Sequence, residues 1–170
     1  KPVILFEGTS TLPLKHLLSR NKETSNISGW NDTKKLINIY GIASGMSYLH
    51  SNNIIFRNLD TENIFLDKNF YPKITGFENS IEPKNGLIEE HSSIENSIEP
   101  KNGFIEEHNI KGKTQYPEVL TNLIYSKASD VYAFSLIMYS ILTNNEPFQN
   151  LKGSMNAPLK KDHRPSFEAP

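Results

Sequence analysis

The chain has 170 residues, 36% of them apolar and 22% charged, enough to bury one ordinary core and too few for two independent domains. Its formal net charge of -1 supplies no overall field that would gather nucleic acid or an anionic membrane, so neither is an expected partner. The absence of cysteine excludes disulfides, thiolate nucleophiles and Cys-type zinc sites, and makes a reducing, cytoplasmic setting the expected one.

Val3 to Phe6 is a short apolar run closed by Glu7-Gly8-Thr9, which predicts a buried strand entering a turn. A short helix is expected from about Pro13 to Arg20, followed by a polar loop over 21–29. Asn31 can cap a long helix that carries Leu36, Ile39, Ala43, Met46 and Leu49 at alternating spacings of three and four. Ser51-Asn52-Asn53 breaks that helix. Three β-prone runs follow, Ile54 to Phe56, Ile64 to Leu66 and Pro72 to Ile74, two of them paired through a turn at Asp67 to Phe70. Ser126 precedes a second strong helix with Val131, Phe134, Ile137, Met138 and Ile141 on its apolar face, stopped by Asn144 and Pro147. The longest apolar stretch, Val131 to Leu142, falls short of the ~20 residues that span a bilayer.

One repeat stands out. Glu78 to His91 reads ENSIEPKNGLIEEH and Glu95 to His108 reads ENSIEPKNGFIEEH, 17 residues further on. Two copies cannot form a stacked solenoid, so a local tandem duplication is the reading. Each copy holds four Glu and one Lys; the pair therefore carries -6 and the remainder +5. An acidic loop on a mildly basic body results, with disorder expected over residues 80–110.

The segment Phe56-Arg57-Asn58-Leu59-Asp60-Thr61-Glu62-Asn63-Ile64-Phe65-Leu66-Asp67 stands in the register of the kinase catalytic loop, H-R-D-L-K-x-x-N followed by a strand. Lys73-Ile74-Thr75-Gly76-Phe77-Glu78 follows where that family has a strand ending in D-F-G. Leu49-His50 matches the usual lead-in, Pro117-Glu118-Val119-Leu120 resembles the A-P-E box, and Tyr125 to Phe134, with its Ser-Asp-Val-Tyr run, resembles the start of the central helix. From Val3 to Phe148 the chain is similar to the larger, C-terminal lobe of a eukaryotic protein kinase, most like the tyrosine-kinase-like group.

That resemblance implies an α+β, mainly helical fold: a partial kinase-like domain over 1–170, with a duplicated activation-segment insert at 78–108. No G-x-G-x-x-G loop precedes the hinge-like Phe6-Glu7-Gly8-Thr9, so the smaller lobe is expected to be absent and the last helices truncated. It further implies Glu7, Thr9 and Phe65 at the hinge and adenine floor, Asn63 and Gly76 at the metal positions, and Asn58, Asp60 and Arg57 at the catalytic ones. Phe56 and Phe77 would pack in a hydrophobic column, Asp130 would brace the loop's backbone, and Arg57 could receive a phosphate from the activation segment. Glu118 would lack its ion-pair partner. Gly112 to Glu118 is two residues shorter than the family's G-T-x-x-Y-x-A-P-E pattern, which weakens peptide docking.

The departures bear on function. Asn58 stands where the aspartate base is needed, and a neutral amide cannot take a proton, forfeiting roughly 10²–10⁴ in rate. Gly76 replaces a magnesium-gripping aspartate. Asp60 replaces a lysine, putting a like charge near a phosphate at a cost of about 4 kcal/mol at ~4 Å and an effective dielectric near 20. The leading expectation is a catalytically inactive pseudokinase serving as an interaction or regulatory module, with no cofactor, a protein partner, and association through exposed apolar surface. A degenerate but active kinase using ATP and Mg, completed by further sequence, is the enzyme alternative. A nonfunctional fragment is the third.

Overall fold

The computed structural model describes residues 12–24, 27–83 and 125–148. Strand β1 (Leu12–Pro13) runs directly into helix α1 (Leu14–Thr24), and α2 (Asp32–Ser51) follows. Next come strands β2 (Ile64–Leu66) and β3 (Pro72–Ile74), a single 3-10 turn (Phe77–Asn79), and helix α3 (Lys127–Thr143). The three strands form one antiparallel sheet in the order β1-β2-β3, with Leu12 opposite Leu66 and Ile64 opposite Ile74. The Val3–Phe6 strand, Glu7, Thr9, Glu118, the 112–118 segment and the repeat beyond residue 83 lie outside the described residues.

Pro13 belongs to β1 and not to the helix after it, which begins at Leu14 and continues to Thr24, past the expected end. A proline is tolerated there because β1 is an edge strand. Asn31 caps α2: its Oδ1 accepts from the Lys34 amide at 3.0 Å. Beyond Ser51 the chain turns back through Asn53 in a left-handed conformation, φ 57°.

The buried stripe of α2 is Asn38, Ile42, Met46 and Leu49, a correction to the expected face. Leu36 is 62% exposed. Two helical residues turn about 200°, so once Asn38 points inward Leu36 must point out. Asn38 is fixed inward because its Nδ2 donates to the Lys34 and Phe70 carbonyls, each at 2.8 Å, tying α2 to the β2–β3 turn. On α3, likewise, Val131 is 57% exposed, while Asp130, Ala133, Leu136, Ile137, Ser140 and Ile141 are buried. Asp130 sets that phase by facing the core. Ser126 and Ser129 form a reciprocal capping box at the start of α3, and Asn144 ends it with φ 55°.

Strand β3 lies against α2 at two glycines. A Cβ on Gly41 would come within 2.6 Å of Pro72 Cγ, and one on Gly45 within 2.9 Å of Ile74 Cδ1. Around this contact the core gathers Leu14, Leu17, Trp30, Ile42, Met46, Phe56, Ile64, Leu66, Ile137 and Ile141. Trp30 packs against Phe70 with ring centroids 5.9 Å apart.

Ile54 to Phe56 does not form a strand. Ile55 makes one isolated bridge, exchanging both backbone hydrogen bonds with Ile81 at 2.9 Å. The ladder stops there because the next amides, Phe56 and Arg57, are committed to the Asp130 carboxylate. The same bridge corrects the expectation of disorder for residues 80–83, where Asn53 also donates to the Pro83 carbonyl. Among the described residues no helix is long and apolar enough to cross a membrane.

Candidate functional site

The loop from Phe56 to Asn63 is positioned by α3. Asp130, 2% exposed, accepts the Phe56 amide on Oδ2 at 2.8 Å and the Arg57 amide on Oδ1 at 2.9 Å. His50 Nε2 meets Oδ2 at 2.9 Å, so the end of α2 joins the same carboxylate. A buried charge persists only when paired and hydrogen-bonded, and three partners meet that need. The clamp sets Arg57 at φ 69°, a left-handed conformation costly for a residue with a Cβ.

The Arg57 guanidinium lies over the Tyr125 ring, 4.2 Å from its centroid, while its Nε is buried without a hydrogen-bond partner among the described residues. Phe56 is wholly buried and meets Phe77 edge to face, centroids 5.1 Å apart. The 3-10 turn that carries Glu78 is thereby attached to the loop.

Asn58, Asn63 and Gly76 converge. Asn58 Nδ2 donates to the Gly76 carbonyl at 3.2 Å and to Glu78 Oε1 at 3.4 Å. Asn63 Nδ2 donates to the Asn58 carbonyl at 2.8 Å, and the Asn63 carbonyl accepts both the Thr75 amide and its hydroxyl. Gly76 has φ +88°, and a Cβ there would sit 2.8 Å from Asn58 Nδ2 and 3.1 Å from Asn63 Cγ. The volume a side chain at 76 would need is therefore filled by two amides. The direction of the Asn58 amide follows from its partners, since carbonyl and carboxylate oxygens only accept.

Asp60 and Glu62 are engaged elsewhere. Asp60 Oδ1 accepts the Glu62 amide at 3.0 Å and the Thr61 hydroxyl at 3.2 Å, a local turn of the kind Asp favours. Glu62 Oε1 pairs with Lys15 Nζ from α1 at 2.5 Å. That hydrogen bond, with the charges of Glu62, Asp60 and Glu146, raises the Lys15 pKa above its ordinary 10.5 against the opposing effect of burial. Phe65 is half-buried on β2 between Ile64 and Leu66, both buried, and so lies on the opposite face of the sheet.

His50, Lys15, Glu78 and Tyr125 were missed as site residues by sequence reasoning. His50, Glu78 and Tyr125 each stood in a motif of the kinase register, the Leu49-His50 lead-in, Lys73 to Glu78 and Tyr125 to Phe134; Lys15 stood in none. Lys15 lies 47 residues from Glu62, and no local pattern joins them.

A loop anchored through its backbone to a buried aspartate of a following helix, with a hairpin returning to it, is the arrangement that the resemblance to the kinase class implies. Comparison with known proteins agrees. The protein kinase domain family model matches residues 2–167. The chain is 31% identical over 133 residues to the serine/threonine-protein kinase ppk21 of Schizosaccharomyces pombe, covering 76% of this chain and 22% of that one. It is 35% identical over 131 residues to the seven transmembrane domain-containing tyrosine-protein kinase 1 of Dictyostelium discoideum, covering 75% and 16%. It is 27% identical over 140 residues to a protein kinase and PP2C-like domain-containing protein of Arabidopsis thaliana, covering 79% and 21%. The chain belongs to the protein kinase family, and it spans less than a quarter of the length of these relatives.

That family works with ATP and magnesium. The residues around Gly76 do not fit a magnesium ion as arranged: a cation needs oxygen lone pairs, and the hydrogens of the Asn58 amide occupy the approach to the Gly76 carbonyl and Glu78. Among the described residues no three His, Cys, Asp or Glu side chains gather at one point.

Proposed function

We propose that this chain is a pseudokinase module, a kinase-family scaffold that does not transfer phosphate and acts by binding a protein partner. The observation that carries the reading is the Asn58 amide donating to the Gly76 carbonyl. At the position where catalysis requires a proton acceptor stands a neutral amide, which cannot take a proton, and its NH₂ is engaged with the Gly76 carbonyl and Glu78. Neither neighbouring carboxylate replaces it. Asp60 caps its own turn and Glu62 is paired with Lys15.

What is kept is the scaffold: Asp130 on the loop amides and Phe56 against Phe77. Retention of the frame with loss of the acid–base groups suits recognition in place of turnover.

A second reading, a degenerate but active kinase, is favoured by one feature. Glu78 brings a carboxylate to within 3.4 Å of Asn58 Nδ2, so an anionic group survives beside the site. The two readings separate in one assay, magnesium-dependent transfer of the ATP γ-phosphate to protein by this chain within its full-length protein, with Glu78→Gln as the companion variant. Background transfer from both supports the module. Transfer by the wild type that disappears in Glu78→Gln establishes the alternative.

A further inference from the structure

We propose that the edge of chain from Asn53 to Asn58 is a seat for an extended Glu-Asn-Ser-Ile-Glu-Pro segment, and that the chain carries two ligands for it: Glu78 to Pro83, which occupies it, and Glu95 to Pro100, which exchanges with it in cis. The inference stands apart from the non-catalytic reading above.

The first copy lies antiparallel along that edge in an unbroken register. Glu78 Oε1 accepts from Asn58 Nδ2 at 3.4 Å, Ser80 Oγ donates to the Phe56 carbonyl at 3.4 Å, Ile81 exchanges both backbone hydrogen bonds with Ile55 at 2.9 Å, and the Pro83 carbonyl accepts from Asn53 Nδ2 at 3.4 Å. Each step forward along the first copy is matched by an equal step back along the seat. Ile55 is 4% exposed, so its carbonyl depends on the donor that Ile81 brings. The side-chain contacts are long for hydrogen bonds, and one short bridge among weak contacts is a hold that can be exchanged.

Glu95 to Pro100, 17 residues further on, repeats Glu78 to Pro83 without a change. It lies outside the described residues, and its claim on the seat is its sequence: Glu95, Ser97, Ile98 and Pro100 duplicate every residue that the first copy uses. What it lacks is the residue before, since Ile94 stands where the first copy has Phe77, and Phe77 meets Phe56 edge to face at 5.1 Å. That contact and direct attachment give the first copy its place. The exchange leaves Phe77 undisturbed. Residues 78–94 then form a loop between Phe77 and Glu95, a closure whose cost rises only with the logarithm of length, while the stretch from the seat to Tyr125 shortens by the same 17 residues. Tethering gives the second copy a high effective concentration at its own seat and favours that seat over another chain's. The exchange carries one acidic block, four Glu and one Lys, from one side of the seat to the other.

Proline at the bridging position tests this. It removes the amide that donates to the Ile55 carbonyl, and Ser80, at φ -68° and ψ 144°, already has the extended backbone that a following proline imposes. In thermal melting of the full chain, Ile98→Pro should leave the wild-type temperature unchanged. Ile81→Pro combined with Ile98→Pro should melt roughly 3–6 °C lower. Ile81→Pro alone should lose less than half of that, so the pair costs more than the sum of the single changes. Deleting residues 78–94 joins Phe77 directly to Glu95; that chain should melt as the wild type does, and Ile98→Pro within it should then show the full loss of the pair. A double variant that melts no lower than Ile81→Pro, an Ile81→Pro chain that does not fold, an Ile98→Pro chain that is itself destabilised, or a deletion chain that ignores Ile98→Pro would each overturn the proposal. So would an Ile81→Pro recovery that grows with protein concentration, which assigns the second copy to a neighbouring chain's seat.

Discussion

His50 Nε2 and Asp130 Oδ2 meet at 2.9 Å across 80 residues of sequence, and through that carboxylate the end of α2, the start of α3 and the loop at Phe56 and Arg57 are one unit. Removing the carboxylate orphans two backbone amides. Asp130→Ala is expected to lose about 3–5 kcal/mol of stability and Asp130→Asn roughly 1.5–3 kcal/mol, since one oxygen acceptor remains while the charge is lost. His50→Ala leaves both amides bonded and should lose only about 1 kcal/mol. Urea denaturation, read as midpoint shifts at unchanged slope, checks the order.

Gly76 is required by conformation and by space. Gly76→Ala forces a side chain into φ +88°, 2.8 Å from Asn58 Nδ2. It should lose at least about 1–2 kcal/mol from the backbone alone. Because the two residues touch, combining it with Asn58→Ala should cost less than the sum of the single changes, which a double-mutant cycle measures.

Gly41 and Gly45 make the groove that β3 occupies. Alanine gains about 1 kcal/mol of helix propensity over glycine, so a gain is the naive expectation at either place. At Gly41 the new Cβ would stand 2.6 Å from the Pro72 ring, which cannot swing away. Gly41→Ala should therefore be destabilising by about 1–3 kcal/mol. Gly45→Ala meets only the flexible end of Ile74 at 2.9 Å and should fall between that loss and neutrality. Melting of the two variants side by side decides it.

The Lys15–Glu62 pair gives a pH dependence of known sign. The folded-state pKa of Lys15 lies above its ordinary 10.5, so its contribution is complete below pH 10.5 and is lost as pH rises through the raised value. Both side chains are partly exposed, which limits the effect to about 0.2–1 kcal/mol and makes it smaller in salt. Lys15→Met should flatten the stability profile above pH 10.5. At the acid end the Tyr71 and Asn69 amides hold the Asp67 carboxyl below its ordinary 3.8. Stability from that turn is present above pH 3.8 and falls away as acid is added through the lowered value.

Helix ends and the β2–β3 hairpin were legible because they are local. Asn31, Ser126 and Asn144 are capping residues by chemistry, and Asp67 to Phe70 is a turn by composition. Helix faces were less so, since apolar spacing alone favoured Leu36 and Val131, both exposed. The phases are set by two buried polar residues, Asn38 and Asp130, which hydropathy assigns to the surface. The site positions Asn58, Asn63 and Gly76 could be placed together from motif register. The filling of the Gly76 volume by amides, the Glu78 contact and the Lys15 pairing depend on side-chain direction across 18, 20 and 47 residues, beyond any linear pattern.

The most direct measurement is γ-phosphate transfer from labelled ATP to protein by this chain within its full-length protein, in magnesium and in EDTA. No magnesium-dependent incorporation above background is predicted, because the neutral amide at position 58 cannot take the proton that a base must accept. Sustained magnesium-dependent incorporation by the unaltered protein, abolished in Asn63→Ala or Glu78→Gln, would contradict it.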